Sequence, residues 1–148
     1  MSDKLHGASG NDEIQTPPEL FDKLNTAFRF DTDAFASHLN HLLPVYWTEQ
    51  DNALIQDWSG RRVFCNPPYS RGLVEQAVDK MIAERNRAGI IVVLIKVDTS
   101  TRWWQKLAAH SYVDFLPKRV KYVHPNPPPG WAGASFASAI CVLKKDWL

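Results

Sequence analysis

The stretch Val63-Phe64-Cys65-Asn66-Pro67-Pro68-Tyr69-Ser70 constrains this chain more than any other. Three apolar residues run into an amide side chain, two prolines and a tyrosine, and a helical pattern opens at Ser70. Proline has no N–H and a fixed φ, so neither Pro67 nor Pro68 can continue a strand ladder. Each also pushes its predecessor into extended geometry. The stretch therefore predicts a buried strand that stops abruptly, with Asn66 and Pro67 held stiffly just past its carboxyl end. In open α/β sheets that edge is where ligands bind.

Such a stub has a specific chemical use. Asn66 offers a side-chain carbonyl, and Pro67 a backbone carbonyl with no N–H beside it. Together they can accept the two hydrogens of one amino group, while Tyr69 supplies a flat face for a planar ring. An amino group held by two acceptors keeps its lone pair out of ring conjugation. It becomes a better nucleophile by positioning and electrostatics, with no general base. The same short string also occurs in ordinary turns, a reading that its place between a strand and a helix disfavours.

Length and composition bound the setting. The 148 residues suit one domain with a real core, read as a single domain over 1–148 with a frayed polar start at 1–12. Hydrophobic content of 45% and charged content of 22% exclude a disordered chain. A net charge of +1 means that any nucleic-acid contact must come from a local patch. Cys65 and Cys141 both lie in apolar runs and read as buried free thiols, which points to a reducing, cytoplasmic location. The longest apolar run, Gly89 to Ile95, is far shorter than a membrane span, and no signal peptide is visible.

With these bounds set, Asn66-Pro67-Pro68-Tyr69 resembles the catalytic motif of the amino-methyltransferases, which move a methyl group from S-adenosylmethionine to a planar exocyclic nitrogen. Thr16-Pro17, Phe30-Asp31-Thr32-Asp33 and the run Asp33-Ala34-Phe35-Ala36-Ser37 extend the likeness. Together they resemble the small bacteriophage DNA N6-adenine methyltransferases (Dam-like), from about Asp12 to the C-terminus. The resemblance implies an α/β fold: a trimmed Rossmann-like methyltransferase sheet with a C-terminal β-hairpin. It implies S-adenosylmethionine as cofactor and double-stranded DNA with a flipped adenine as partner. Catalytic roles fall to Asn66, Pro67, Pro68 and Tyr69, and cofactor contacts to Thr16, Pro17, Asp31, Asp33 and Asp51. Three departures stand out. The glycines of the related cofactor loop are missing from 33–37, Ile14 replaces an aromatic residue, and Asn52 holds the place of an acid, with Asp51 one residue earlier. The same motif also serves N4-cytosine and the glutamine amide of a protein. The missing glycines keep open a non-catalytic DNA-binding relative of the fold.

Along the rest of the chain, Gly7-Ala-Ser-Gly10 is no phosphate loop, because no strand precedes it. Thr16 is placed to cap a helix whose first turn holds Pro17 and Pro18, with Leu20, Phe21, Leu24 and Phe28 on one face. Phe28 to Asp31 reads as a short strand, Ala34 to Leu43 as a helix, and Pro44 to Thr48 as another strand. His38 and His41 read as a surface pair, with no third ligand at a zinc-like spacing and hence no metal site. Ser70 caps a helix with a Leu73, Val74, Ala77, Val78, Met81 and Ile82 stripe, and Ile90 to Ile95 is a strand buried on both faces. A helix over Thr99 to His110 holds Trp103 and Trp104, one expected in the core and one free for a partner. Strands are expected at Tyr112–Leu116 and Arg119–His124, with Ser135–Leu143 pairing against the latter. Lys118, Arg119 and Lys121 form a phosphate-contacting group or an ordinary solvated face, and Pro125 to Trp131 is a stiff loop. The sequence does not set an oligomeric state.

Overall fold

The computed structural model describes residues 14–146, so the expectations for 1–12 and for Gly7–Gly10 lie outside the described residues. The centre is β3 (Ile90–Lys96), an unbroken aliphatic run whose side chains alternate between two cores. Ile91, Val93 and Ile95 face one core, and Ile90, Val92 and Leu94 face the other. On one flank β3 pairs in parallel with β2 (Arg62–Cys65), which pairs in parallel with the two-residue β1 (Thr32–Asp33). On the other flank β5 (Ser138–Leu143) lies antiparallel, and β4 (Tyr112–Phe115) closes the edge against β5. The order is β1-β2-β3-β5-β4, a mixed five-stranded α/β sheet consistent with a methyltransferase-like fold.

Two helices cover one face. The stripe predicted after Tyr69 forms α2 (Leu73–Glu84), which buries Val74, Ala77, Val78 and Met81. Beside it lies α3 (Arg102–Ala109), whose cap Thr101 accepts from the Trp104 N–H. Arg102 and Lys106 of α3 pair with Glu75 of α2. Both Trp103 and Trp104 are buried, so neither is presented to a partner. The other face is covered by α1 (Pro18–Phe28), from which Phe21 packs edge-on to Phe64 with ring centroids 5.2 Å apart. Next to α1, an irregular segment over 116–137 supplies Tyr122, Ala134 and Phe136 to the same core.

Several local expectations fail for identifiable reasons. Phe28 ends α1 rather than starting a strand, because Arg29 turns left-handed at φ 55° and the Asn25 side chain accepts from the Phe30 N–H. Residues 34–43 do not form a helix: Ala34 and Ala36 donate across the fold to the carbonyls of Phe64 and Trp47. The segment 44–48 contributes a single bridge, Asp33 to Tyr46, rather than a strand. Arg119–His124 is not a strand of the sheet either, and β5 pairs with β4 instead. The terminal hairpin therefore exists with a different first strand and a long connection. Val123, freed from the sheet, makes an isolated bridge with Gln15.

Candidate active site

As predicted, β2 stops at Cys65; Asn66 to Pro68 leave it as an irregular segment, and Tyr69 has already turned to φ −106°, ψ −27°. A short 3-10 turn (Ser70–Gly72) follows, with Arg71 at φ 54°, so Gly72 rather than Ser70 is the residue that precedes α2. Beside the strand end opens a cavity of about 380 Å³. That lies within the roughly 300–1,000 Å³ usual for small-molecule sites. Thr16, Asp33, Asn66 and Pro68 all line it, together with Asn52 and Glu49. Pro17, Asp31, Asp51, Pro67 and Tyr69 do not.

Asn66 is anchored from a distant part of the chain. Its Nδ2 donates to Thr16 Oγ1 over 3.0 Å, which leaves its carbonyl Oδ1 as the acceptor end. The sequence predicts Thr16 as the cap of α1, but Pro17 occupies the cap position without a side-chain cap bond. The hydroxyl is buried against the site instead, with Thr16 only 5% exposed. Tyr69 is anchored too. Its hydroxyl accepts from the Lys96 backbone N–H over 2.9 Å, so more than its ring face is engaged. The Lys96 ammonium stands 5.3 Å from the ring centroid, and the Trp103 ring lies 6.3 Å away, tilted by 54°. Lys96 closes β3 at the same edge, so the rule that sites gather at carboxyl strand ends would have found it from the sequence.

The opposite side of the cavity centres on Asp33. Its carboxylate accepts from the Leu42 N–H over 2.9 Å and is otherwise surrounded by protein, at 4% exposure. Desolvation pushes its pKa up to about 6, against smaller downward pulls from that hydrogen bond and from His41. A buried carboxylate with one backbone donor has capacity for further donors or a cation. The loop backbone has little to offer in comparison: the N–H groups of Ala34, Ala36 and Ser37 go to Phe64, Trp47 and Asn40.

The remaining predicted acids have structural partners. Asp31 is exposed, and its Oδ1 accepts from the Thr32 hydroxyl and the Arg62 N–H, joining the starts of β1 and β2. Asp51 is exposed and accepts from the backbone N–H and hydroxyl of Thr48, which hold its carboxyl below the usual carboxylate range. Asn52, at φ 58°, accepts from the Leu54 N–H through Oδ1 and lines the cavity in the place adjacent to Asp51. His38 and His41 both attach to Tyr46: His41 stacks on its ring at 3.8 Å, and His38 Nδ1 lies 2.9 Å from its hydroxyl. Among the described residues, no three His, Cys, Asp or Glu side chains gather as a metal site. No helix among them is long and apolar enough to cross a membrane.

Fold and site define an α/β protein with its cavity at the carboxyl ends of parallel strands. The family model for DNA N-6-adenine-methyltransferase (Dam) matches residues 6–148, and the chain belongs to that family. It is similar to the DNA N-6-adenine-methyltransferase of Haemophilus phage HP1 (strain HP1c1), 35% identical over 78 residues that cover 51% of this chain and 43% of that one. The protein of the same description in Escherichia phage T1 is 33% identical over 93 residues, covering 60% of this chain and 37% of that one. The putative methyltransferase YfdM of Escherichia coli (strain K12) is 40% identical over 65 residues, 39% of this chain and 71% of that one. The aligned regions span less than half the length of the two phage relatives.

Proposed function

We propose that this protein transfers a methyl group from S-adenosylmethionine to N6 of adenine in DNA, on a trimmed Rossmann-like sheet. The observation that carries the proposal is the Asn66 amide. Its nitrogen is held by Thr16, which frees its carbonyl to accept from an amino group at the mouth of the cavity. Asn66 Oδ1 and the Pro67 carbonyl would accept the two N6 hydrogens, and the nitrogen lone pair would then face the methyl donor. Adenine is out of reach inside a duplex, so the base would be flipped out and stacked on Tyr69.

The cavity suits the cofactor. Asp33 would take its ammonium or ribose hydroxyls, and Trp47 with Phe35 offers aromatic surface for a ring. When bound, the cofactor supplies an electrophilic methyl group. The chain's task is to hold the amine in line with it and to exclude water. Because the backbone N–H groups of 34, 36 and 37 are already paired, side chains carry most of the binding. Affinity is then modest and tightens when DNA closes the site.

That same pairing supports a second reading, a DNA-binding relative that keeps the fold without the chemistry. Transfer of tritiated methyl to adenine-containing DNA, wild type against Asn66→Ala, decides between them. Label in N6-methyladenine that disappears in Asn66→Ala supports the enzyme. A folded wild type that neither transfers methyl nor binds S-adenosylmethionine in calorimetry points to the binding protein.

A further inference from the structure

Thr16 belongs to the substrate side of the reaction as much as to the cofactor side. An unrestrained asparagine amide can present either its oxygen or its NH2 group, and only the oxygen can accept from an amine. In this chain the NH2 end faces Thr16: Asn66 Nδ2 donates to Thr16 Oγ1 at 3.0 Å, and a hydroxyl whose own hydrogen is directed away, into the cavity, meets the amide only as an acceptor. Thr16 is buried, with 5% of the residue exposed, so water has little access to it. Nor is the hydroxyl taken by α1, which starts without a side-chain cap. The segment bearing it is fixed on both sides. Gln15 exchanges two backbone hydrogen bonds with Val123, at 2.7 and 3.0 Å, and buried Ile14 packs into the core beneath α1. After accepting from Asn66, the Thr16 hydroxyl still has its own hydrogen to donate into the cavity it lines.

We infer that Thr16 is a positioning residue, whose hydroxyl locks the Asn66 amide with Oδ1 turned toward the substrate amine. This rests on the proposed amino-methyl transfer. Without the lock the amide can rotate, and its NH2 group then faces the hydrogens that it should accept. A misplaced catalytic contact of this kind costs about 10²-fold in rate.

The test uses the full chain as wild type, Thr16→Val, Thr16→Ser, Asn66→Ala and the Thr16→Val/Asn66→Ala double variant. Single-turnover methyl transfer at saturating S-adenosylmethionine and DNA should fall about 10²-fold in Thr16→Val. Thr16→Ser, which restores the hydroxyl, should recover most of that loss. In the Asn66→Ala background Thr16→Val should add nothing, because the amide it orients is gone. Additive losses, or a Thr16→Val rate equal to wild type, overturn the inference. So does a Thr16→Val defect confined to S-adenosylmethionine affinity. The Asn66 side-chain NH2 resonances give an answer independent of turnover. Wild type and Thr16→Ser should share a hydrogen-bonded Nδ2 proton that Thr16→Val lacks. Identical resonances in all three overturn the lock, whereas their loss with an inactive wild type keeps the lock and sinks the methyl-transfer reading.

Discussion

On the β2 side of the cavity four consecutive residues carry the proposed chemistry, and the two with reactive side chains are each anchored by a hydrogen bond: Asn66 to Thr16, Tyr69 to the backbone of Lys96. On the other side the lining residues run from Asp33 to Leu54 with little regular structure. That wall is held by side chains that serve as scaffold. The Asp33 carboxylate takes the Leu42 N–H, Tyr46 carries His38 and His41, and Asp51 takes Thr48. A site that must aim one amino group concentrates its groups on a strand end. A site that must enclose a larger ligand spreads them along a folded-over loop, where each position does both structural and binding work. Substitutions on the first wall should therefore act on rate, and those on the second on affinity and stability together.

The sharpest test of that division is Asn66→Ala. Methyl transfer should fall about 10²–10³-fold, the usual loss for one positioned polar contact, with an unchanged circular dichroism spectrum and melting temperature. A melting temperature well below wild type would blur the two walls.

Asp33 should behave in the opposite way. Burial raises its pKa in the folded chain from 3.8 to about 6, so the folded state holds the proton more tightly than the unfolded one. Its contribution to stability is therefore greatest below the unfolded value and declines as pH rises toward 6, by on the order of 3 kcal/mol. Asp33→Asn can still accept from Leu42, so it should be more stable than wild type at neutral pH and similar to it near pH 4. It should also bind S-adenosylmethionine more weakly. Denaturation across that pH range, with calorimetry alongside, checks both, and a variant less stable at neutral pH would refute the assignment of strain to the buried charge.

Tyr69 separates stacking from anchoring. Tyr69→Ala should weaken DNA engagement by the ~1–3 kcal/mol of a stacked base. Tyr69→Phe keeps the ring but releases the Lys96 N–H, so DNA binding should be largely kept while folding stability falls by about 0.5–1.5 kcal/mol. Equal denaturation midpoints for wild type and Tyr69→Phe would show that the hydroxyl is idle, and a DNA-binding loss in Tyr69→Phe as large as in Tyr69→Ala would sink the stacking role. The smallest effect should come from the exposed Lys118, Arg119 and Lys121. Changing any one to Ala should lower the salt dependence of DNA binding by about one counterion, near 0.9 in the log–log slope, if its side chain touches a phosphate. An unchanged slope for all three would leave them as a solvated face.

What could be read from the sequence follows the same division. The Val63–Tyr69 strand end, the α2 stripe and the doubly buried β3 are local patterns whose period or proline content dictates geometry within a few residues. The segment 34–48 lacked such a pattern. Residues 34–43 fit a helix by propensity and 44–48 a strand, but cross-fold bonds such as Ala34 N–H to Phe64 won, and no local signal announces those. Arg119–His124 alternates as a strand should, yet β4 already occupied the edge of β5. Thr16 looked like a cap because the local grammar of Thr-Pro-Pro-Glu says so. Its actual partner lies 50 positions away.

That distance bears on when the site comes into being. The Thr16–Asn66 contact spans as many positions as the Val92–Val142 pair of β3 and β5, but the Gln15–Val123 bridge that fixes the segment bearing Thr16 closes a far longer loop. Loop closure of this kind costs entropy before it returns contacts, so it comes late in folding and opens first in the native state. A chain with its core complete can thus still lack an aimed asparagine. In pulse-labelled exchange the Val92 amide should be protected before those of Gln15 and Val123, and activity should appear with the latter pair.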